Sequence, residues 1–332
     1  MRIHGGADVP WDFSTNANAL GPCPVALQAV LQADRQRYPD ARYTALIEAL
    51  AQWHGVAPDR VLLGGSASEL IMRLHIALRL LCADHALRVA VPQPAYGDYA
   101  DSALACGHEV IEPSYSKPVD VQWHTLPSSP LGQGLLGEVL TQQLMPRTAV
   151  HVIDAAYQPL LLEGPCLPKS ASDTAWSLWT PNKALGLCGV RGAYAISPAV
   201  GSPRWQALAD QMRQLEPSWV LGAEGQAMLL AWVSESVQAW LADSLASLRK
   251  LKAKQLVLLE SLRLAYQPSV TNFFVAQLSP DPVQQAKLFH ALLAKGVALR
   301  DTSSMGLPGW ARMRVHTDAA QSAFLSAWKS IK

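Results

Sequence analysis

Trp179-Thr180-Pro181-Asn182-Lys183-Ala184-Leu185-Gly186-Leu187-Cys188-Gly189-Val190-Arg191-Gly192 carries more information than any other segment of this chain. A single lysine, Lys183, follows a short apolar run (175–180) that reads as a strand. A Gly-rich turn comes next, then Arg191, then a second apolar run (193–196) that again reads as strand. A lysine that forms a Schiff base needs this setting. It sits at a strand end, is held by a tight turn, and has a cation near it for a phosphate.

Upstream, Val152-Ile153-Asp154-Ala155-Ala156-Tyr157 puts an acid at the end of another apolar strand. An acid and a lysine on neighbouring strand ends are what pyridoxal phosphate (PLP) requires. Two other readings of the glycines fail. Gly186, Gly189 and Gly192 are spaced like a dinucleotide fingerprint, but that motif opens a helix. Here a strand-like run follows and Pro198 blocks an early helix. Leu63-Gly64-Gly65-Ser66-Ala67-Ser68-Glu69 lacks the Gly-Lys-Ser/Thr of a phosphate loop.

Composition narrows the classes. The chain has 332 residues, enough for two domains and a sizeable core. A formal net charge of +1 gives no field that would favour nucleic acid or an anionic membrane surface. Apolar residues make up 50% and charged residues 16%, a balance that suggests surface buried in an oligomer. The most apolar stretch, 70–82, is broken by Arg73, His75 and Arg79, so no membrane span is expected. The first residues show no apolar signal-peptide core. Five scattered cysteines without a C-x-x-C pair suggest neither a zinc site nor a disulfide framework, and no metal is expected; a reducing cytoplasm fits.

Along the chain, residues 1–22 read as an arm rich in Gly, Asn and Pro. Helices are expected at 24–34 and 43–54, the second with Leu46, Ile47, Leu50 and Trp53 on one face. Strands at 61–63, 88–91, 109–112, 123–126 and 149–154 alternate with helices at about 66–82, 99–106 and 136–144. This alternation predicts an α/β fold, a mostly parallel sheet covered by helices on both faces. Ligands bind such sheets at the carboxyl ends of the strands. Ser66 to Ser68, Tyr96, Ser129, Asp154 and Thr180 to Lys183 all fall there. Residues 202–264 read as long and helical. Strand 270–278, helix 282–295, strand 312–316 and a last helix make a smaller α+β unit. The expected organisation is an arm with part of the small domain (1–35), a large cofactor-binding domain (36–234) and a small C-terminal domain (235–332).

With these motifs in order, the chain resembles the class I/II aminotransferase family, PLP enzymes of fold type I. The likeness is greatest to histidinol-phosphate aminotransferase and threonine-phosphate decarboxylase. It runs through His4-Gly5-Gly6, Asn16-Ala17-Asn18-Ala19-Leu20-Gly21, Arg37-Tyr38-Pro39-Asp40, Gly64 to Glu69, Pro94-Ala95-Tyr96-Gly97-Asp98-Tyr99, Asp154 to Tyr157 and Lys183 to Arg191. The resemblance implies that Lys183 holds PLP and shuttles the proton at Cα. It implies that Asp154 pairs with the pyridine nitrogen, that Tyr157 lies near the phenolic oxygen and that Tyr96 stacks on the ring. Ala67 and Ser68, at a helix N-terminus, would meet the phosphate with Thr180 and Arg191. Tyr38 would reach the phosphate of a neighbouring subunit, which implies a homodimer with shared sites. His4, Asn16 and Asn18 would cover the substrate. Arg314 matches the arginine that grips its carboxylate, with Arg312 the alternative two residues away on the same strand face.

The chain departs from the family at Leu126-Pro127-Ser128-Ser129-Pro130-Leu131-Gly132, where Ser129 stands in place of the asparagine that bonds the phenolic oxygen. Asn182 stands where a serine usually precedes the lysine. The early His-Gly-Gly followed by the asparagine arm favours a threonine-phosphate decarboxylase-like enzyme of cobalamin side-chain synthesis. A histidinol-phosphate-type aminotransferase is the alternative, and a PLP-binding protein with little catalysis the third reading. The substrate would be an amino acid or amino-acid phosphate.

Overall fold

The computed structural model describes residues 9–113, 119–134, 149–199 and 203–331. The helix expected at 136–144 lies outside the described residues, as does His4.

Seven strands form the main sheet: β2 (Val61–Gly64), β3 (Arg88–Ala90), β4 (Glu109–Ile111), β5 (Val121–Thr125), β6 (Val150–Asp154), β7 (Trp176–Trp179) and β8 (Ala193–Ile196), in the order β2-β8-β7-β6-β5-β3-β4. All neighbours are parallel except β8, which is antiparallel to both β2 and β7. The cause is local. No helical crossover separates β7 from β8, so the chain turns back beside itself. That turn carries Lys183 and lies at the carboxyl end of the parallel strands.

Strands β2, β6 and β8 are buried along their whole length. Alternate residues face opposite layers. Leu62, Trp123, Val152, Leu178 and Ala195 pack with Leu70, Ile71 and Leu74 of α3 (Ala67–Leu81) and Met212 of α6 (Pro203–Gln214). On the other side Val61, Leu63, Tyr194 and Ile196 join Leu46 and Leu50 of α2 (Thr44–His54) and Met228 and Leu229 of α7 (Ala223–Trp232). Before these helices comes α1 (Pro24–Leu31), and between the strands α4 (Asp98–Ala105) and a short α5 (Lys169–Thr174), which the sequence reading did not foresee.

The stretch read as one long helical region is three helices, α6, α7 and α8 (Glu235–Ser261). Gly222 and Ser234 interrupt it, and the Ser234 hydroxyl accepts from the Val237 amide to start α8. A four-stranded antiparallel sheet follows, in the order β12 (Arg300–Asp301), β13 (Ala311–Arg314), β10 (Phe273–Gln277), β9 (Ala265–Tyr266). Helices α9 (Pro282–Ala294) and α10 (Asp318–Ile331) complete this part. The arm enters as β1 (Trp11–Asp12), paired in parallel with β11 (Val297–Ala298).

Candidate active site

The Lys183 turn is held from both ends. Within it, Leu185 N–H donates to Pro181 O at 3.0 Å and Leu187 N–H to Asn182 O at 2.8 Å. The arm closes over it: Asn18 N–H donates to Lys183 O and Cys23 N–H to Leu185 O, each at 2.8 Å. This close packing explains one glycine. Gly186 has φ +68°, and a Cβ there would stand 2.8 Å from the Cα of Gly21. A side chain is therefore disfavoured by conformation and by space.

Asp154 ends β6 and pairs in register with Leu178, so Thr180 and Lys183 follow in the turn just after the neighbouring strand β7. The Asp154 carboxylate accepts two bonds, from Tyr99 OH at 2.5 Å and from the Ala156 amide at 2.9 Å. Tyr99 is fully buried on α4, and burial together with the Asp154 charge raises its pKa well above that of an ordinary phenol. It therefore stays a donor. The sequence reading gave Tyr99 no role; its only signal was the second aromatic of Tyr96-Gly97-Asp98-Tyr99.

Lys183 Nζ stands 5.1 Å from the centroid of the Tyr157 ring, within the range of a cation–π contact. Tyr157 OH accepts from Asn16 Nδ2 at 3.1 Å. The two arm asparagines thus separate. Asn18 is spent on backbone, donating to Ala184 O and accepting from Leu20 N–H. Asn16 reaches the Lys183–Tyr157 pair and keeps a buried, unpartnered Oδ1.

Around this centre the other expected residues fall in place unevenly. Tyr96 OH donates to Asp98 Oδ2 at 2.6 Å and lies 3.0 Å from Ser68 Oγ, linking the ring to the start of α3. Burial and the Asp98 bond raise its pKa. Ser66 caps α3 by accepting the Glu69 amide, which leaves the first amides, at Ala67 and Ser68, without intrahelical partners. Arg191 is exposed. Tyr38 is 78% exposed and packs tilted against Trp219, with ring centroids 4.4 Å apart.

The two candidate arginines have different surroundings. Arg314 was the expected carboxylate ligand, but its guanidinium meets His316 Nε2 at 2.8 Å and feels Asp12. Arg312 is the one that reaches the centre. It is buried, lies 5.7 Å from the Phe273 ring centroid, and donates to Ser129 Oγ at 3.4 Å and Ser14 O at 3.0 Å. Phe273 in turn packs edge-on against Tyr157, with centroids 4.7 Å apart. Both arginines occupy one strand face, so spacing could not separate them. Their different neighbours do.

Unsatisfied atoms test whether these residues fit PLP. Thr180 Oγ1, Asn16 Oδ1, Asn182 Oδ1, Arg312 Nε and Arg314 Nε are buried without a partner among the described residues. Buried polar groups are ordinarily paired, and orphans beside Lys183 and on the arm and strand that face it suit a polar, anionic ligand. A strand-end lysine, an acid on the neighbouring strand and an open helix N-terminus therefore fit the cofactor, on the architecture of a fold type I PLP enzyme.

The comparisons agree. The model of the aminotransferase class I and II family matches residues 10–327, and the chain belongs to that family. It is a PLP-dependent enzyme. Similar proteins include a histidinol-phosphate aminotransferase of Granulibacter bethesdensis, 26% identical over 92% of this chain and 85% of that one. Another is histidinol-phosphate aminotransferase 2 of Pseudomonas fluorescens, 29% identical over 95% and 87%. Among solved structures, histidinol-phosphate aminotransferase of Sinorhizobium meliloti, in complex with pyridoxal-5'-phosphate, superposes with a TM-score of 0.81 at 19% identity, covering 98% of this chain and 92% of that one. L-threonine-O-3-phosphate decarboxylase of Porphyromonas gingivalis gives 0.80 at 18%, covering 97% and 99%. At such identities the structural likeness speaks for the fold alone. Among the described residues no helix is long and apolar enough to cross a membrane, and no cluster of three metal-ligating side chains occurs.

Proposed function

We propose that this protein is an aminotransferase of the histidinol-phosphate type, moving an amino group between a phosphorylated amino compound and a 2-oxo acid. The observation that carries it is Arg312: a buried guanidinium with no carboxylate partner among the described residues, set against Phe273 and Tyr157 beside Lys183. A buried unpaired cation is costly, and a substrate anion relieves that cost. The sequence relatives at 26–29% identity, histidinol-phosphate aminotransferases, favour amino transfer over decarboxylation. The decarboxylase reading rested on His4-Gly5-Gly6, outside the described residues, followed by the Asn16–Gly21 arm, and takes second place.

PLP, when bound, supplies an electron sink for the pair released at the substrate Cα. Lys183 Nζ holds the cofactor and moves the proton at Cα. Asp154, held by Tyr99 and the Ala156 amide, keeps positive charge on the pyridine nitrogen. Tyr157, fixed by Asn16, serves the phenolic-oxygen side. Tyr96 stacks on the ring. The α3 amides of Ala67 and Ser68, the Thr180 hydroxyl and Arg191 hold the phosphate. Tyr38, exposed on its own subunit, serves the phosphate of a second copy, which makes the working unit a dimer. Arg312 orients the substrate carboxylate or phosphate, and Ser129 steadies Arg312.

The test is incubation with histidinol phosphate and 2-oxoglutarate, with threonine phosphate alone in parallel. Glutamate should form and no CO2. Release of CO2 from threonine phosphate without any amino transfer would replace this reading by the decarboxylase. Borohydride reduction of the loaded protein should attach the cofactor to Lys183; a label on another lysine would overturn the site.

A further inference from the structure

His75 lies on α3, has no exposed surface, and belongs to none of the groups assigned above. Its hydrogen bonds have a fixed direction. Trp123 Nε1–H can only donate, and it points at His75 Nε2 at 3.4 Å. His75 Nε2 is therefore the acceptor and Nδ1 carries the proton. That proton faces Ser102 Oγ at 2.7 Å, with the Ile71 carbonyl of its own helix as a second acceptor, and the Ser102 hydroxyl donates onward to Asp98 O at 2.6 Å. His108 Nε2 meets the His75 carbonyl at 3.2 Å, while its Nδ1 accepts the Leu87 amide. Burial holds the His75 pKa at about 3, so the ring is neutral at working pH, as this pattern requires.

The two partners of His75 are two of the supports of Tyr99, beside Thr125 Oγ1, which donates to the Tyr99 hydroxyl at 3.4 Å, and Tyr96, which packs edge-on against its ring. Ser102 stands one turn after Tyr99 on α4. Trp123, on β5, stacks on the Tyr99 ring with centroids 4.5 Å apart and planes 18° apart. Tyr99 OH then donates to Asp154. One ring nitrogen of His75 thus secures the helix that carries Tyr99, and the other secures the indole against which Tyr99 lies.

We propose that His75 is a positioning residue for the active site, acting through Ser102 and Trp123 to hold the Tyr99 phenol on the Asp154 carboxylate. It rests on the reading of Asp154 as partner of the cofactor nitrogen. The hydrogen bond to a charged acceptor needs its short, directed geometry to keep its strength. Letting Tyr99 drift would leave Asp154 with one donor and a different potential at the ring.

The experiment titrates the apoprotein with PLP and records the dissociation constant and the visible absorbance maximum. Tyr99→Phe should weaken binding by up to about tenfold, because an Asp154 without its phenol donor is no longer fixed where the pyridine nitrogen would meet it, and move the maximum. His75→Gln should weaken it several-fold and move the maximum the same way. In the Tyr99→Phe background, His75→Gln should then add nothing, because both changes remove the same contact. Trp123→Phe keeps the stacking ring and deletes the N–H; it should behave like His75→Gln and serves if that variant does not fold. His108→Gln, a change in the same buried patch that does not touch Trp123, should leave both readouts unchanged. Additive effects of His75→Gln and Tyr99→Phe, or an unchanged constant and maximum in both His75→Gln and Trp123→Phe, overturn the proposal. Unaltered affinity and spectrum in Asp154→Asn would instead show that the Asp154 reading itself has failed.

Discussion

Replacing Arg312 by lysine keeps a positive charge on β13 but removes the planar fork. Arg312 is 8% exposed, and the bonds of its guanidinium among the described residues go to Ser14 O and Ser129 Oγ, leaving Nε free. A substrate carboxylate or phosphate meeting two of its N–H groups forms charge-assisted bonds of about 1.5–3 kcal/mol each. Lysine retains one such bond at best. The loss of the other should raise KM by roughly 10- to 100-fold, at about 1.4 kcal/mol per tenfold. Arg312→Met removes the whole pair and should raise it further. The same change takes an uncompensated cation out of a buried site, so the ligand-free protein should lose no more than about 1 kcal/mol of stability. Steady-state kinetics for the three proteins, with urea unfolding of the ligand-free forms, provides the comparison. Arg314→Lys serves as the control, because its partner is His316. A larger KM effect from Arg314→Lys than from Arg312→Lys would refute the assignment. So would a loss of several kcal/mol in ligand-free Arg312→Met, since it would make the arginine a structural pillar rather than a waiting ligand.

Gly186→Ala places a Cβ 2.8 Å from the Gly21 Cα at a positive φ, and should cost at least ~1 kcal/mol while loosening the arm; chemical denaturation together with PLP affinity would show both effects or neither. Burial holds His54 and His316 near pKa 4 and His75 near 3, against 6.5 when free. The unfolded chain therefore binds more protons across that window, so stability is full above about pH 6.5 and falls as pH drops toward 4, by at most about 1.4 kcal/mol per pH unit for each histidine. Urea midpoints that stay constant from about pH 7 to pH 5 would contradict this. Trp219→Glu, at the base of the exposed Tyr38 stack, should turn a dimer into a monomer at low micromolar concentration in sedimentation; a wild-type monomer with full activity would rule out the shared site.

Much of the fold was legible because long-range packing and local pattern agree here. The strand at 193–196 was read with its observed bounds, and β2, β3, β4 and β6 fell within a residue or so. Of these runs β2, β6 and β8 are buried along their whole length, so their apolar character is continuous; the edge strand β4, with Glu109 exposed, is bounded instead by Gly107 and Pro113. The short pieces escaped. β1, β11 and β12 are two residues each, and what makes them strands is a partner far away in sequence: Trp11 pairs with Val297 and Arg300 with Arg312. No local signal encodes such a pairing. The breaks at Gly222 and Ser234 divide a region whose composition is helical throughout, and capping rather than hydrophobic pattern places them.

The site was legible where the chemistry demands a residue type at a strand end, and illegible where it depends on direction. Lys183 and Asp154 needed only their places at the carboxyl ends of adjacent strands. Choosing between Arg312 and Arg314 needed more, because residues two apart share a face and carry the same charge. The difference comes from the loop after β5, which brings Ser129 to Arg312, and from His316, which engages Arg314; Asp12 acts on both. The arm asparagines pose the same problem: Asn16 and Asn18 are equivalent in the sequence, yet one bonds Tyr157 and the other bonds the carbonyl of Ala184. Tyr99 is the sharpest case. It looks like a core aromatic, and it is one, packed on Trp123. Its single polar atom nevertheless ends on Asp154. A buried phenol must spend its hydroxyl on something, and in this sheet the acceptor it finds at the strand end is the acid we propose as the partner of the cofactor nitrogen.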